Sequence, residues 1–584
     1  MKLINPSYKR EEHAVTKNLM MTSAATALCV SLGAQGALAG NGNQAFTLQD
    51  GLFNQAVIDQ ANANFARVGS ASLPFVQEGN VNILSILQIG QRTNLGPIVA
   101  NQTASGANAG TLNNGFQLGT GNILQIIQRD EFAPTSGTAL NNVNIVPLVF
   151  QEGNGNIGRI TQDAFSTWNI ANLRQIGTAN IADIDQDAPG TAPQGTRQNR
   201  NSISSATTGF GSARSGGAVQ EGTANVMRLT QLANVGNGGN TIIGATQSGT
   251  ANLMNVSQTG NNFNLSFGTA NSAHGFAGSL VLPKYTSSQT GAANFLNLTM
   301  TSGGTQNFNE AGVIFATAQN GSGNTGNVTI TGDFTEFALS QIGALNNTVG
   351  DAVGNRNDMA VSQVGNDVVV PPVNLPFGIT IPGFTIPGGG NDAIFSVLGN
   401  NNEMLIDQAG NLNDAEVRIF GDDNKASSKQ SGNLNDADVH IDGDLNTALS
   451  TQTGNGNDVL VKIDGDSNNA TLVQTGPGNS ADVTITGDFN TADSTQQGAS
   501  NDWLATIVGN DNTATLEQIG SLNFASLDIL GNDNTSTLSS NGNSNSITGT
   551  VEGNSNTSTV MQNGSNNTAV FTQLGNSNTV SIMQ

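Results

Sequence analysis

The sequence predicts an all-β fold, a two-sided β-solenoid of stacked 22-residue strand-turn-strand-turn coils, open-ended in the manner of amyloid-like cross-β. Three observations predict it. From Gly410 to Gly575 a glycine recurs at every eleventh residue, each followed three residues later by asparagine. The residue two before every other glycine is glutamine, at Gln408, Gln430, Gln452, Gln474, Gln496, Gln518 and Gln562, with Ser540 the one exception. Between these corners apolar and polar residues alternate, the period of a strand with one buried face.

The strands follow from that alternation. In one half of the repeat the inward set reads Asn413, Ala415, Val417, Ile419, then Asn435, Ala437, Val439, Ile441. The other half is smaller and more polar, as in Asn424, Ala426, Ser428, Gln430. Intervening Asp414, Glu416, Arg418, Lys425 and Lys429 belong in water. A helix is excluded, because Gly, Asn and β-branched residues at this frequency are poor helix formers. Gly-x-x-Asn reads as the corner, since glycine reaches backbone angles closed to other residues and asparagine tolerates them better than most.

Stacking explains the buried amides. Coils about 4.7 to 4.8 Å apart place identical residues in columns, and columns of Asn and Gln can bond their amides along the stack. The expected ladder residues are the sets Gln408, Gly410, Asn413; Gln430, Gly432, Asn435; Gln452, Gly454, Asn457; Gln474, Gly476, Asn479; Gln496, Gly498, Asn501; Gln518, Gly520, Asn523; and Gln562, Gly564, Asn567. A lone coil buries too little to hold itself, so stability belongs to the stack. Gln584 falls in phase as a repeat glutamine, and the edge there is expected to be uncapped, inviting another chain.

Read in order, the chain has four parts. Residues 1–39 have the make-up of a signal peptide: Lys9, Arg10 and Lys17, an apolar run from Leu19 to Leu32, and the small-residue site Ala37-Leu38-Ala39. The run is too short and too diluted by Ser, Thr and Gly for a membrane helix. Its removal takes away Cys29, the only cysteine, and leaves no disulfide or thiol chemistry. Residues 40–366 hold the motif in looser form, from Gln49-Asp50-Gly51-Leu52-Phe53-Asn54 onward. Insertions such as Ala188 to Ala218 and Thr269 to Ser288 read as loops thrown out from a continuing coil, either solvated decoration or adhesive contacts. Residues 367–390, rich in Pro and Gly, read as a connector whose Ile379-Thr380-Ile381 can pair at an edge. Residues 391–584 are the regular solenoid and hold 23 Asp plus Glu against four Lys plus Arg, a net of 4 − 23 = −19, which argues against a nucleic-acid partner.

No catalytic constellation is visible, and the chain is read as not an enzyme. The three histidines, His13, His274 and His440, are scattered. Gly321-x-Gly323-x-x-Gly326 overlaps the repeat and opens no helix, so it is read as chance. One carboxylate column stands out. Asp422, Asp444, Asp466 and Asp488 follow corner glycines one coil apart. They are either gatekeepers that slow premature association or weak candidates for binding calcium, the one cofactor considered.

The pattern Gln-x-Gly-x-x-Asn on this period resembles the curlin repeat of bacterial curli subunits. Complete matches begin at Gln49, Gln77, Gln117, Gln151, Gln175, Gln220, Gln247, Gln289, Gln319, Gln341, Gln408 and the later glutamines named above, and at Gln573. The resemblance covers nearly all of the chain after its leader, although the chain is several times longer than an ordinary curlin subunit. It implies a secreted subunit that polymerises with itself into extracellular amyloid fibres for adhesion and biofilm matrix. It also implies a nucleating subunit, an export pore and periplasmic chaperones as partners. The alternative reading is a soluble monomeric β-solenoid adhesin or cation-binding surface protein.

Overall fold

Alternating residues close into two parallel β-sheets that face each other across a thin core. In the computed structural model, Asp414–Phe420 turns Ala415, Val417 and Ile419 inward, and all three are fully buried. Across the core, Lys425–Ser431 buries Ala426, Ser428 and Gln430. We call the sheet carrying Gln430 sheet I and the sheet carrying Ile419 sheet II. The structure describes residues 44–60, 67–68, 75–90, 111–130, 143–164, 168–188, 200–203, 218–232, 241–242, 244–260, 269–271, 281–283, 286–302, 313–332, 335–365, 368–370, 373–375, 379–381, 384–386 and 389–584. The expected leader, with His13 and Cys29, and the loop residue His274 lie outside these.

Among the described residues, sheet I contains 24 strands, in which four short segments (Gln44–Ala45, Arg67–Val68, Arg200–Ile203, Thr241–Ile242) share a rung with the strand that follows, leaving twenty rungs, and sheet II contains 19, from Gln55–Asp59 to Thr568–Leu574. Both run as open ladders with every consecutive rung paired in parallel, so neither closes on itself. The β-solenoid expected from the period is the observed fold.

Register is kept by the columns even where the sequence is irregular. Up to Gln319, the step from sheet I to sheet II always takes eleven residues, as from Gln77 to Gln88 or Gln117 to Gln128. The return step is longer, as from Gln88 to Gln117 or Gln186 to Gln220. The glutamines nonetheless pair directly, Gln77 with Gln117 and Gln175 with Gln220. Extra residues in this half therefore join the sheets at one edge only. Within the insertion Thr269 to Ser288, Thr269–Asn271 pairs antiparallel with Val281–Pro283.

The segment 367–390, expected as a connector, contains two antiparallel pairs: Val368–Val370 with Phe384–Ile386, and Val373–Leu375 with Ile379–Ile381. Ile379-Thr380-Ile381 thus pairs within its own hairpin rather than on a sheet edge. Solenoid rungs on either side bond directly, Asn347 to Asp392 and Asp358 to Glu403, and residues 39–584 form one compact unit.

Large core residues sit against small ones in the next rung. Phe395 lies over Gly350, Phe571 over Gly549, and Trp503 between Ala481 and Ala525. A rung spacing fixed by backbone bonds gives a bulky side chain room only if its column neighbour is small.

Candidate functional site

What this fold presents is a set of one-dimensional ladders and the rungs at which they stop. The glutamine ladder lies inside sheet I. Each Nε2 donates to the Oε1 of the next rung, at 2.6 Å from Gln49 to Gln77, 3.0 Å from Gln408 to Gln430 and 2.9 Å from Gln562 to Gln584. The same Nε2 crosses the core to a backbone carbonyl of sheet II, as from Gln430 to Asp414 O at 2.6 Å. Gln452, Gln474 and Gln496 repeat the pattern. At Ser540 the amide is replaced by a hydroxyl that still donates to Gln562 Oε1 at 3.2 Å, while Gln518 keeps its bond to Asp502 O. Sheet II carries a second glutamine ladder through its early rungs, from Gln60 to Gln88, Gln128, Gln162, Gln186 and Gln231.

Interior ladder asparagines tie three coils together. Asn413 Nδ2 donates to Asn391 Oδ1 in the coil before, at 3.1 Å, and to Gly432 O in the coil after, at 2.9 Å. Its backbone N–H also donates to Asn391 Oδ1. Asn435, Asn457, Asn479, Asn501, Asn523 and Asn567 lie in the same column; the first five are buried and the last is part-buried. The corner glycines Gly410, Gly432, Gly454, Gly476, Gly498, Gly520 and Gly564 form a parallel column, all with positive φ.

The corner differs from its sequence reading in one respect. The second positive-φ residue is the one before asparagine, such as Leu412 (φ 57°), Asp423 (φ 57°), Leu434 (φ 58°) or Ser467 (φ 58°). Asparagine itself is not in that region. Its amide must point into the core to build the ladder, so the left-handed turn falls one residue earlier, on whatever side chain is there.

Asp422, Asp444, Asp466 and Asp488 line the return corner, one per coil. Asp444 Oδ1 accepts from Asp422 N at 2.7 Å, Asp466 Oδ1 from Asp444 N at 2.8 Å, and Asp488 Oδ1 from Asp466 N at 2.9 Å. Further along, Asn510, Asn532 and Asn554 play the same part with an amide oxygen. Each carboxylate therefore spends one oxygen on the backbone, in a row of single residues, whereas calcium takes six to eight oxygens around one point. Among the described residues no three His, Cys, Asp or Glu side chains converge in the manner of a metal site.

A different acidic column carries the perturbed electrostatics. Asp392, Asp414, Asp436 and Asp458 occupy successive outward positions on sheet II, with Asp502 two rungs on. Partial burial first, and then neighbouring carboxylates, hold Asp414, Asp436, Asp438, Asp458 and Asp482 above the usual aspartate range; Asp502 is raised by burial. Its sequence signal is aspartate directly after the ladder asparagine in alternate half-coils. His440 lies outward on the same face, its ring 5.7 Å from that of Phe420.

The end rungs are the least covered parts of the stack. Ala56 and Ile58 at one end, and Val580 and Ile582 at the other, are only partly buried against the core. Among the described residues no helix is long and apolar enough to cross a membrane. No curated protein sequence matches the chain. The curlin associated repeat matches residues 509–542 and 553–584, in coils whose glycine, asparagine and glutamine columns continue back through the whole stack. Two segments of this chain thus match the curlin associated repeat, on an all-β solenoid whose columns run through the described stack.

Proposed function

We propose that this chain is a secreted structural subunit that self-assembles into curli-like extracellular amyloid fibres serving cell adhesion and biofilm matrix. The observation that supports the reading best is the continuity of the columns. Interior rungs bond to the rung before and the rung after through backbone and asparagine, and in sheet I through glutamine at every rung but Ser540, so a rung is itself a template for another. Export through an outer-membrane pore and nucleation by a second subunit belong to the same reading. The test is refolding of the full chain from denaturant at micromolar concentration, with and without preformed fibres, followed by thioflavin T fluorescence and electron microscopy. Unbranched fibres with a lag abolished by seeds are the expected result. A clear solution of β-rich monomers that ignores seeds would overturn it.

A further inference from the structure

The outward faces of the two sheets differ in chemistry over the same coils. In sheet I the six rungs from Thr447–Thr453 to Thr557–Asn563 each turn four side chains outward, at the first, third, fifth and seventh residues after the ladder asparagine, 24 in all. None of them is buried; thirteen are threonine, two are acidic (Asp493 and Glu517), and none is basic. The six interleaved rungs of sheet II, from Asp436–Asp442 to Ser546–Glu552, turn out nine carboxylates and one lysine, Lys462, at the same four positions. One broad face of the flattened coil is therefore acidic, and the other is nearly neutral and rich in hydroxyls.

The neutral face complements itself. When two copies lie side by side about a two-fold axis parallel to the stack, sheet I meets sheet I rung for rung, with the strands antiparallel across the gap. The first residue of a rung then faces the seventh and the third faces the fifth, and each of the twelve facing pairs contains a threonine. Leu449 meets Thr451, Val473 meets Thr471 and Met561 meets Thr559, so a large side chain finds a small one opposite, as Phe395 does over Gly350 in the core. Asp493 meets Thr495 and Glu517 meets Thr515, whose hydroxyls can donate to the carboxylates, and no charge meets a charge. The same operation on sheet II sets Asp436 against Asp442 and Asp458 against Asp464, like charges brought together out of water. Hydroxyls enclosed between sheets can bond along their column, as Ser536 Oγ and Ser558 Oγ do at 2.6 Å and Thr317 Oγ1 does to Ser287 Oγ at 2.9 Å. With rungs about 4.8 Å apart and a rise of about 3.3 Å per residue, the face measures roughly 29 by 23 Å, and pairing buries on the order of 1,300 Å² in total, within the range of stable interfaces. In a fibre the face recurs with every copy, which multiplies the contact.

We propose, building on the self-assembly reading above, that the outward face of sheet I from Thr447 to Asn563 is a lateral pairing surface whose partner is the same face of a second copy, the two solenoids pointing the same way with their acidic sheet II faces turned to water.

The test is the mass per unit length of fibres grown from the full chain, measured by scanning transmission electron microscopy. Parent fibres are expected to hold two solenoids in cross-section. The double change Thr495→Asp, Thr515→Asp sets a carboxylate opposite Asp493 and another opposite Glu517, and is expected to halve the mass per length while seeded growth persists. Thr484→Asp, Thr506→Asp adds the same charge to the outward face of sheet II and is expected to leave two solenoids. Met561, 40 % exposed in a single copy, is expected to be oxidised by hydrogen peroxide more slowly in parent fibres than in fibres of the Thr495→Asp, Thr515→Asp chain. One solenoid in the parent cross-section, or equal mass per length in the two variants, would overturn the pairing, leave fibre formation intact and free the face for a ligand other than this chain. Absence of fibres from the parent would overturn the self-assembly reading instead. Sedimentation of the soluble chain then decides the pairing: a dimer that Thr495→Asp, Thr515→Asp dissociates upholds it, and a monomer refutes it.

Discussion

Two glycines in one corner separate the two jobs that glycine does in this fold. Gly454 has φ +134°, and a Cβ built on it would lie 2.2 Å from Gly476 O and 2.6 Å from its carbonyl carbon. Gly456 has φ +64°, and a Cβ there meets nothing within 4 Å. Gly454→Ala therefore combines backbone strain of about 1–3 kcal/mol with an overlap against the next coil's backbone of about 1–3 kcal/mol, a total of about 2–6 kcal/mol. Gly456→Ala should cost about 1 kcal/mol or less, since it takes a left-handed angle that Leu412 and Leu434 adopt at equivalent corners. Because a stacked array opens locally, the reading is hydrogen exchange by mass spectrometry on peptides spanning residues 436–475, with denaturant melts alongside. Gly454→Ala is expected to speed exchange in the rungs on both sides, and Gly456→Ala to leave it near the parent. Equal effects would show that glycine is required for its backbone angle alone and that the close approach of coils is irrelevant.

Three other outcomes follow from the same geometry. The raised carboxyls of Asp414, Asp436, Asp438, Asp458, Asp482 and Asp502 favour the protonated folded form. Their stabilising contribution is therefore fully present below the ordinary value of 3.8 and is lost as pH rises through the raised folded values. Denaturant midpoints should rise on acidification toward 3.8, and the triple change Asp414→Asn, Asp436→Asn, Asp458→Asn should flatten that slope; an unchanged slope would refute the assignment. Ser540→Gln should close the one break in the sheet I ladder between Gln518 and Gln562 and add about 1 kcal/mol, read as slower exchange in Thr535–Asn541. Gly549→Ala puts a Cβ 2.2 Å from the Phe571 ring and should cost about 1–3 kcal/mol, loosening residues 568–584, with Phe571→Ala in the same chain recovering part of the loss.

The fold was legible because its period is written without slips from Gly410 onward, and because alternation names the buried face of every strand. The ladders were legible for a related reason: a buried Gln or Asn at fixed phase has no partner except its own copy in the next coil. Other features depend on geometry that spacing does not carry. Which corner residue takes the left-handed angle is decided by where the Asn amide must point, so Leu412 rather than Asn413 takes it. Asp422 and its column drew attention as stacked charges, yet their oxygens cap backbone N–H groups just as Asn510 does. The column with raised carboxyls, Asp414, Asp436 and Asp458, is distinguished by partial burial, which no residue pattern states. Gln573 looked like one more repeat match; only the strand pairing shows it as the return of a polar column after a long apolar run.

The lengthened steps of the early half all fall on one long edge of the flattened coil, while the opposite edge keeps its tight corners as far as Gln319. The cost of closing a connection grows only with the logarithm of its length. That edge accepts additions and deletions of sequence with little effect on the columns, whereas one residue gained at a tight corner would turn a whole strand inside out. As far as Gln319 the molecule thus has one margin held to fixed dimensions and one open to sequence drift, and the hairpins of 367–390 are the exception, entering at the fixed margin.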